Sequence, residues 1–334
     1  MTAVAFTSLL SEQIKVYQDA SQVAQAYGEA ARAEESAGWM TWKAARGREY
    51  LFHGFGRAGN GTSQGVRDTN TEQRMAQFQA DKQALSERRT QLGAQVTHQA
   101  KYVKVERLNR LPQIAGRVLN LLAKAGLAER LKVIGTNALY VYEALAAVRF
   151  DEGITATRDL DLLWDARGGI VFTGDFDEVE LRGFSAILKK ADKTFTVSEE
   201  RTFCVTNADG YAVDFLMQRI LNEAPSITRT VFTQDGYPCA MRVVDPRYFA
   251  LHKWWVAART QSAKDQRDPG KARRDQLQAI AVCDLIAAHL PMYSFDEQPF
   301  LSELPRALKP YLKQAQARAR KENQNVEDIE IAGL

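Results

Sequence analysis

The sequence predicts an α+β fold in which a small mixed sheet with helices is flanked by N-terminal and C-terminal helical regions. Three observations predict it. Residues 133–163 pair a Gly135-Thr136 step, at the end of one apolar run, with an Asp159-Leu160-Asp161 step inside a second. Further on, Asp214 stands alone between apolar neighbours in YAVDFL. On both sides of this centre, apolar residues recur at helical spacing. The implied organisation is a helical region over 1–125 with a glycine-rich loop at 54–65, a central domain over 126–245, a helical domain over 246–322 and a polar tail over 323–334.

In chain order, residues 11–45 are rich in Ala, Gln and Glu with scattered Val, Tyr and Trp, which predicts helix. The stretch 52–67 then interrupts with Gly54, Gly56, Gly59, Gly61 and Gly65. No strand clearly precedes it and it matches neither the P-loop nor the dinucleotide fingerprint, so it reads as a flexible connection. The functional alternative is a flap whose amides, with Arg57 and Arg67, meet nucleotide or acceptor. Thr69-Asn70-Thr71-Glu72 has the form of a capping box. It opens a long helix with Met75, Phe78, Leu85, Leu92 and Val96 along one side, a near-heptad spacing that predicts packing on another helix, either the N-terminal one or that of a second subunit in a homodimer.

The centre can be read element by element. Leu121, Leu122 and Ala125 end a helix, with Gly126 as its C-cap. Residues 131–134 form a short buried strand. Gly135-Thr136 then opens a helix carrying Ala138, Leu139, Val141, Tyr142, Leu145 and Ala146, which ends near Val148. A helix that starts at glycine straight off a strand suits phosphate, through its free amides and macrodipole, and Thr136 adds a hydroxyl. Residues 159–164 are the second strand. Asp159 and Asp161, at i and i+2, share a face while Leu160 and Leu162 point into a core. Residues 176–191 read as helix, with Val179, Leu181, Phe184 and Leu188 on its apolar side. Strands at 194–198 and 202–206 follow. The Asn207-Ala208-Asp209-Gly210 turn then leads to a strand at 211–217 that carries Asp214 beside Asp159 and Asp161. Carboxylates this close repel unless a cation lies between them, and hard oxygen ligands suit Mg²⁺ or Mn²⁺.

The C-terminal region reads as helix over 275–289, with Leu277, Ile280, Ala281, Leu285 and Ile286 at core spacing. Pro291 breaks it, and short helices follow at 295–308 and 310–321 before the tail.

The glycine step, the acid-x-acid strand and the later single acid together resemble the nucleotidyltransferase superfamily built on the DNA-polymerase-β palm. The chain is most similar to the bacterial branch containing abortive-infection toxins, over roughly residues 130–290. In that branch a Lys-bearing helix and an Arg-Asp helix follow the catalytic sheet, matched here by Lys253 and by Lys271, Arg273, Arg274 and Asp275. Thr136 stands where Ser is usual, and the gap from Gly135 to Asp159 is longer than in minimal members. The resemblance implies an enzyme that transfers NMP from an NTP such as ATP. Asp159, Asp161 and Asp214 would be catalytic and hold two Mg²⁺ or Mn²⁺ ions. Gly135, Thr136, Asn137, Lys253, Arg273 and Arg274 would bind the nucleotide. It also implies a role in bacterial defence, with an antitoxin or other partner protein.

Length and composition fit this reading. The chain has 334 residues, enough for about two domains, with 45% hydrophobic and 25% charged residues. No apolar run is long enough to span a bilayer and no basic-then-apolar leader opens the chain, which points to the cytoplasm and away from membranes. Cys204, Cys239 and Cys283 lack CxxC spacing and read as buried thiols. His53, His98, His252 and His289 show no ligand spacing. The net charge of +3 hides two basic segments. Ten basic residues against three acids give +7 over 87–132, and eight against two give +6 over 247–274. Flanking an acidic site, they point to a polyanionic acceptor such as RNA, tRNA-like in kind, with Arg88, Arg89, Lys101 and Lys104 as acceptor contacts. The alternatives are a small-molecule, protein or oligonucleotide-forming nucleotidyltransferase, or a non-catalytic RNA- or partner-binding protein.

Overall fold

The computed structural model describes residues 6–56, 61–164, 178–198, 203–216, 219–262 and 269–332. In chain order the elements are β1 (Phe6–Ser8), α1 (Ser11–Ser36), β2 (Trp39–Ala45), β3 (Arg48–Gly54), β4 (Thr62–Val66), α2 (Thr69–Val105) and α3 (Gln113–Lys124). Then come β5 (Leu131–Val133), α4 (Leu139–Ala146), β6 (Val148–Phe150), α5 (Glu152–Thr155), β7 (Asp159–Trp164), α6 (Glu178–Leu188), β8 (Thr196–Val197), β9 (Cys204–Thr206) and β10 (Ala212–Leu216). The chain continues with α7 (Arg219–Asn222), β11 (Ser226–Phe232), β12 (Pro238–Val244), α8 (Pro246–Ser262), α9 (Pro269–His289), α10 (Gln298–Glu303) and α11 (Lys309–Ala332). The fold is α+β, as the sequence predicts. It divides into a smaller unit, residues 12–109 with 235–238, and a larger unit comprising the rest.

In the smaller unit α1 and α2 form an antiparallel hairpin. Gln13 Nε2 donates to the Glu106 carbonyl at 2.9 Å, and Arg89 pairs with Glu34 at 2.9 Å near the other end. The near-heptad side of α2 therefore packs within the chain. Its N-cap lies one residue earlier than expected: Asp68 accepts from the Thr71 amide at 2.8 Å, and Thr71 Oγ1 accepts from the Asp68 amide at 2.8 Å. Asp at the cap accepts the amide more readily than the Thr69 that the motif suggests.

Two expectations fail in this unit. Helix does not run to residue 45 but ends at Ser36, and the glycine-rich stretch is not a plain connection. Instead β2, β3 and β4 make a three-stranded antiparallel sheet, with Trp39 opposite Gly54 and Tyr50 opposite Val66. Arg67 is tied to Glu49 at 2.6 Å and Glu72 at 2.9 Å, which removes it as a flap residue. Arg57 and Gly59 lie outside the described residues.

The larger unit is built on a seven-stranded mixed sheet in the order β11-β12-β5-β7-β10-β9-β8. β7 is antiparallel to β5 and parallel to β10, and β10 is antiparallel to β9 across the Asn207–Gly210 turn. Leu160, Leu162, Val133, Val213, Val118 and Leu122 belong to one buried cluster, which anchors β5, β7 and β10 in the core. The first turn after Gly135 is a 3-10 turn over 136–138 before α4 proper, and Ala147 ends α4 in the left-handed region at φ 52°. β11 and β12, unread in the sequence, extend the sheet beyond β5. The C-terminal helix α11 continues to Ala332, so the polar tail expected from 323 is helical. The start of the helix expected over 176–191, and Lys264, Asp265, Arg267 and Asp268 of the second basic segment, lie outside the described residues.

Candidate active site

The site begins with strand periodicity. Along β7 the side chains of Leu160 and Leu162 are wholly buried, while Asp159 and Asp161 retain partial exposure on the opposite face. β10 lies alongside in register, placing Asp214 opposite Asp161. Carboxylate oxygens of Asp159, Asp161 and Asp214 all lie within 4.8 Å of one another. The two sequence-distant parts of the motif thus meet on one face.

β5 delivers the glycine step to the same place. The Ile134 amide donates to the Asp161 carbonyl at 3.1 Å, so the chain leaves the sheet directly beside Asp161. A Cβ at position 135 would overlap the Asp161 carboxylate, which is why glycine is needed there. Thr136 and Asn137 are both buried. Asn137 Nδ2 donates to the Asp159 carbonyl at 2.7 Å, fixing β7, and Gln278 of α9 donates to Thr136 Oγ1 at 3.1 Å and to the Ile154 carbonyl at 2.8 Å. These two side chains therefore hold the loop and the strand, one layer behind the carboxylates.

The electrostatics follow from the convergence of like charges. Burial, then the charge of Asp159 and, more weakly, that of Asp214 push the Asp161 carboxyl up to about 6, against the opposing pull of Lys253 and Lys271. The Thr157 hydroxyl donates to the Asp159 carboxylate. Three oxygen-donor groups at this separation fit a hard divalent cation, whose charge would relieve the same repulsion.

Lys253 of α8 stands near enough to Asp161 to act on its proton, but its ammonium is held by the buried Asp275 at 2.7 Å. Arg273 is exposed on α9 and Arg274 is half-buried. Arg88, Arg89, Lys101 and Lys104 lie on α2 in the smaller unit, all exposed. The basic segments are less free than their composition suggests. Lys132 is fully buried, donating to the Asn222 and Ala224 carbonyls at 3.0 and 2.9 Å. Arg110 pairs with Glu143 at 2.9 Å and Arg247 with Asp245 at 2.7 Å.

Sequence reasoning passed over Gln278, Tyr211 and Arg158. The Tyr211 hydroxyl reaches the Asp159 carbonyl at 3.4 Å, and Tyr211 with Arg117, Arg158, Gln113, Ile114 and Asp192 lines a cavity of about 550 Å³. Only for Gln278 was there a signal: it follows Asp275 by three residues and so shares its helix face.

A sequence family described as Nucleotidyltransferase matches residues 113–224 and 217–299. One solved structure, an antigenic nucleotidyltransferase-like protein from Paracoccidioides brasiliensis, is 14% identical and covers 65% of this chain and 93% of its own. The TM-score between the two is 0.33. No curated protein matches. Among the described residues no helix is long and apolar enough to cross a membrane.

Proposed function

Because the chain belongs to this nucleotidyltransferase family, we propose that it transfers a nucleoside monophosphate from an NTP to an acceptor hydroxyl with divalent cations at the acidic site. The observation that carries this reading is the convergence of Asp159, Asp161 and Asp214 within 4.8 Å of one another. An all-oxygen donor set suits Mg²⁺ or Mn²⁺ better than softer metals. When bound, two such ions would neutralise the triphosphate and lower the pKa of the acceptor hydroxyl. Asp214, buried on the neighbouring strand, is the group we assign to the acceptor side, where it can take the proton.

The remaining residues position. In this reading Gly135 lets phosphate approach the backbone at the start of the turn. Thr136 and Asn137 keep that turn and β7 in place. Lys253, held by Asp275, adds positive charge beside Asp161, and exposed Arg273 and half-buried Arg274 are the phosphate contacts of this reading. Catalysis then rests on holding hydroxyl and α-phosphorus in line and on neutralising charge.

RNA is the acceptor in this proposal. Its support is, in the smaller unit, the exposed Arg88, Lys101 and Lys104 beside Arg89, which pairs with Glu34, and, separately in the larger unit, Arg117 and Arg158 lining the cavity. Arg110, Lys132, Arg247 and Lys253 are engaged internally and do not add to it. The abortive-infection branch and a partner antitoxin belong to the same proposal and rest on the resemblance, while a cytoplasmic location and a homodimer are proposed from the sequence pattern.

The test is to incubate the protein with each NTP labelled at the α-phosphate, Mg²⁺ and total RNA, then locate the label. Label on RNA that requires Mg²⁺ and vanishes in Asp161→Asn supports the reading. Label on a small molecule or a protein replaces the acceptor, and no transfer to any acceptor ends the proposal.

A further inference from the structure

The glycine-rich hairpin takes no part in the chemistry proposed above, and its glycines answer to a tryptophan. In the smaller unit Trp39 lies opposite Gly54, Thr41 opposite Phe52, Lys43 opposite Tyr50 and Ala45 opposite Arg48. Alternation puts all of these on one face of the sheet. The other face carries Met40, Trp42, Leu51 and His53 and is turned to α2. Leu51 there is fully buried, and the His53 ring meets Phe78 of α2 at 5.7 Å.

On the first face the Trp39 indole lies against the hairpin backbone. A Cβ on Gly54 would run into the ring, and one on Gly61 would come within 2.7 Å of it. The indole N–H donates to the Gly56 carbonyl at 3.0 Å, which fixes the ring's pose. Trp39, Tyr50 and Phe52 remain partly exposed. The Lys43 ammonium stands 5.4 Å from the Trp39 ring centre and 4.8 Å from that of Phe52. Arg46 and Arg48 are exposed at the β2–β3 turn, and none of the residues named on this face is acidic.

We infer that this face is a docking platform for single-stranded nucleic acid, with Trp39, Tyr50 and Phe52 stacking bases and Lys43, Arg46 and Arg48 meeting phosphates. Partly exposed rings stack on bases of any sequence, because every base has a π-face, and cations beside them follow the backbone. A duplex hides its base faces, so the platform selects single strands. The charge complementarity is local to the sheet and independent of the acidic site.

The experiment is fluorescence anisotropy of the full chain with labelled 12-mers of single-stranded RNA and DNA and with a 12-base-pair duplex. NTP and divalent cations are omitted, so failure here leaves the transferase reading untouched. Single strands should bind at least about tenfold more tightly than duplex. Tyr50→Ala and Phe52→Ala should each weaken binding about tenfold, corresponding to the loss of one stacked base. Phe52→Leu keeps the apolar bulk and should weaken binding while the melting temperature holds. Lys43→Glu with Arg48→Glu should weaken binding and flatten its salt dependence by about two counterions. Wild-type affinity in Phe52→Leu and in the charge-reversed pair would overturn the proposal, as would equal affinity for duplex. So would a dimer that these substitutions disperse, which would make the face an interface between copies.

Discussion

On β7 and β10 three carboxylates share a face, while on β2 and β3 three aromatic rings do. The carboxylates repel one another, and burial sharpens the repulsion, as the raised pKa of Asp161 records. The rings need no such compensation: Trp39 gains contact from Gly54 and Gly61, and Lys43 adds attraction to the ring faces. One face gathers like charges, and the other gathers rings with a cation beside them. The difference teaches where supporting structure is needed. Gly135, Gln278 and the Lys253–Asp275 pair crowd around the acids, whereas two glycines suffice for the rings.

The largest expected effect separates chemistry from scaffold. Asp161→Asn should lower nucleotidyl transfer by about 10³-fold or more, since charge stabilisation at a metal site contributes several kcal/mol, and should leave the smaller unit's ring environment unchanged by near-UV circular dichroism. Retained turnover would break the comparison, by showing that the acid face is inert.

Lys253→Met comes next. It leaves Asp275 buried without its partner, so denaturant unfolding should show a loss of about 3–5 kcal/mol. A small loss would mean that Lys253 serves the nucleotide alone, as a surface residue.

A paired test of the glycines sharpens the contrast. Gly135→Ala should displace the Asp161 carboxylate and abolish the rise in melting temperature caused by Mg²⁺, at a cost of about 1–3 kcal/mol. Gly54→Ala should displace Trp39 and red-shift its emission while the Mg²⁺ response persists. A lost Mg²⁺ response in both variants would mean the two faces are not independent.

The smallest effect is in pH. The folded pKa of Asp161, about 6, lies above its ordinary 3.8, so the folded chain holds that proton more firmly than the unfolded one. The resulting stability is full below about pH 4 and is lost as pH rises through about 6. Without divalent cation the Asp161 contribution, read as wild type minus Asp161→Asn, should favour pH 5 over pH 7 by on the order of 1–3 kcal/mol. Buried His252, its pKa lowered to about 3, pulls the other way equally in both proteins. Mg²⁺ should erase the Asp161 contribution. The same slope in Asp161→Asn as in wild type would assign the titration elsewhere.

Much of the acid face was legible in the sequence because its signals are local. Two acids two residues apart on a strand must share a face, and an Asn-Ala-Asp-Gly turn before YAVDFL returns a strand beside its neighbour. The aromatic face was not legible. WMTWKAA lacks polar-apolar alternation and ends in alanines that favour helix, and its turn is Arg46-Gly47 rather than the Asn-Gly or Asp-Gly that marks a hairpin. Both turn residues nevertheless take positive φ, 51° and 72°. The cap of α2 slipped by one residue because Asp68 with Thr71 and Thr69 with Glu72 satisfy nearly the same spacing.

The sequence by itself determined the α+β class, the strand that carries Asp159 and Asp161, the glycine that precedes the α4 turn and the long helix of the smaller unit. Each depends on backbone geometry and periodicity within a few residues. Only the tertiary structure decided which charges are free. Lys132 is consumed by two carbonyls some ninety residues away, and Lys253 by an acid on the next helix. Whether a lysine meets solvent, a partner or a phosphate depends on what packs above it, and that neighbour comes from a distant part of the chain.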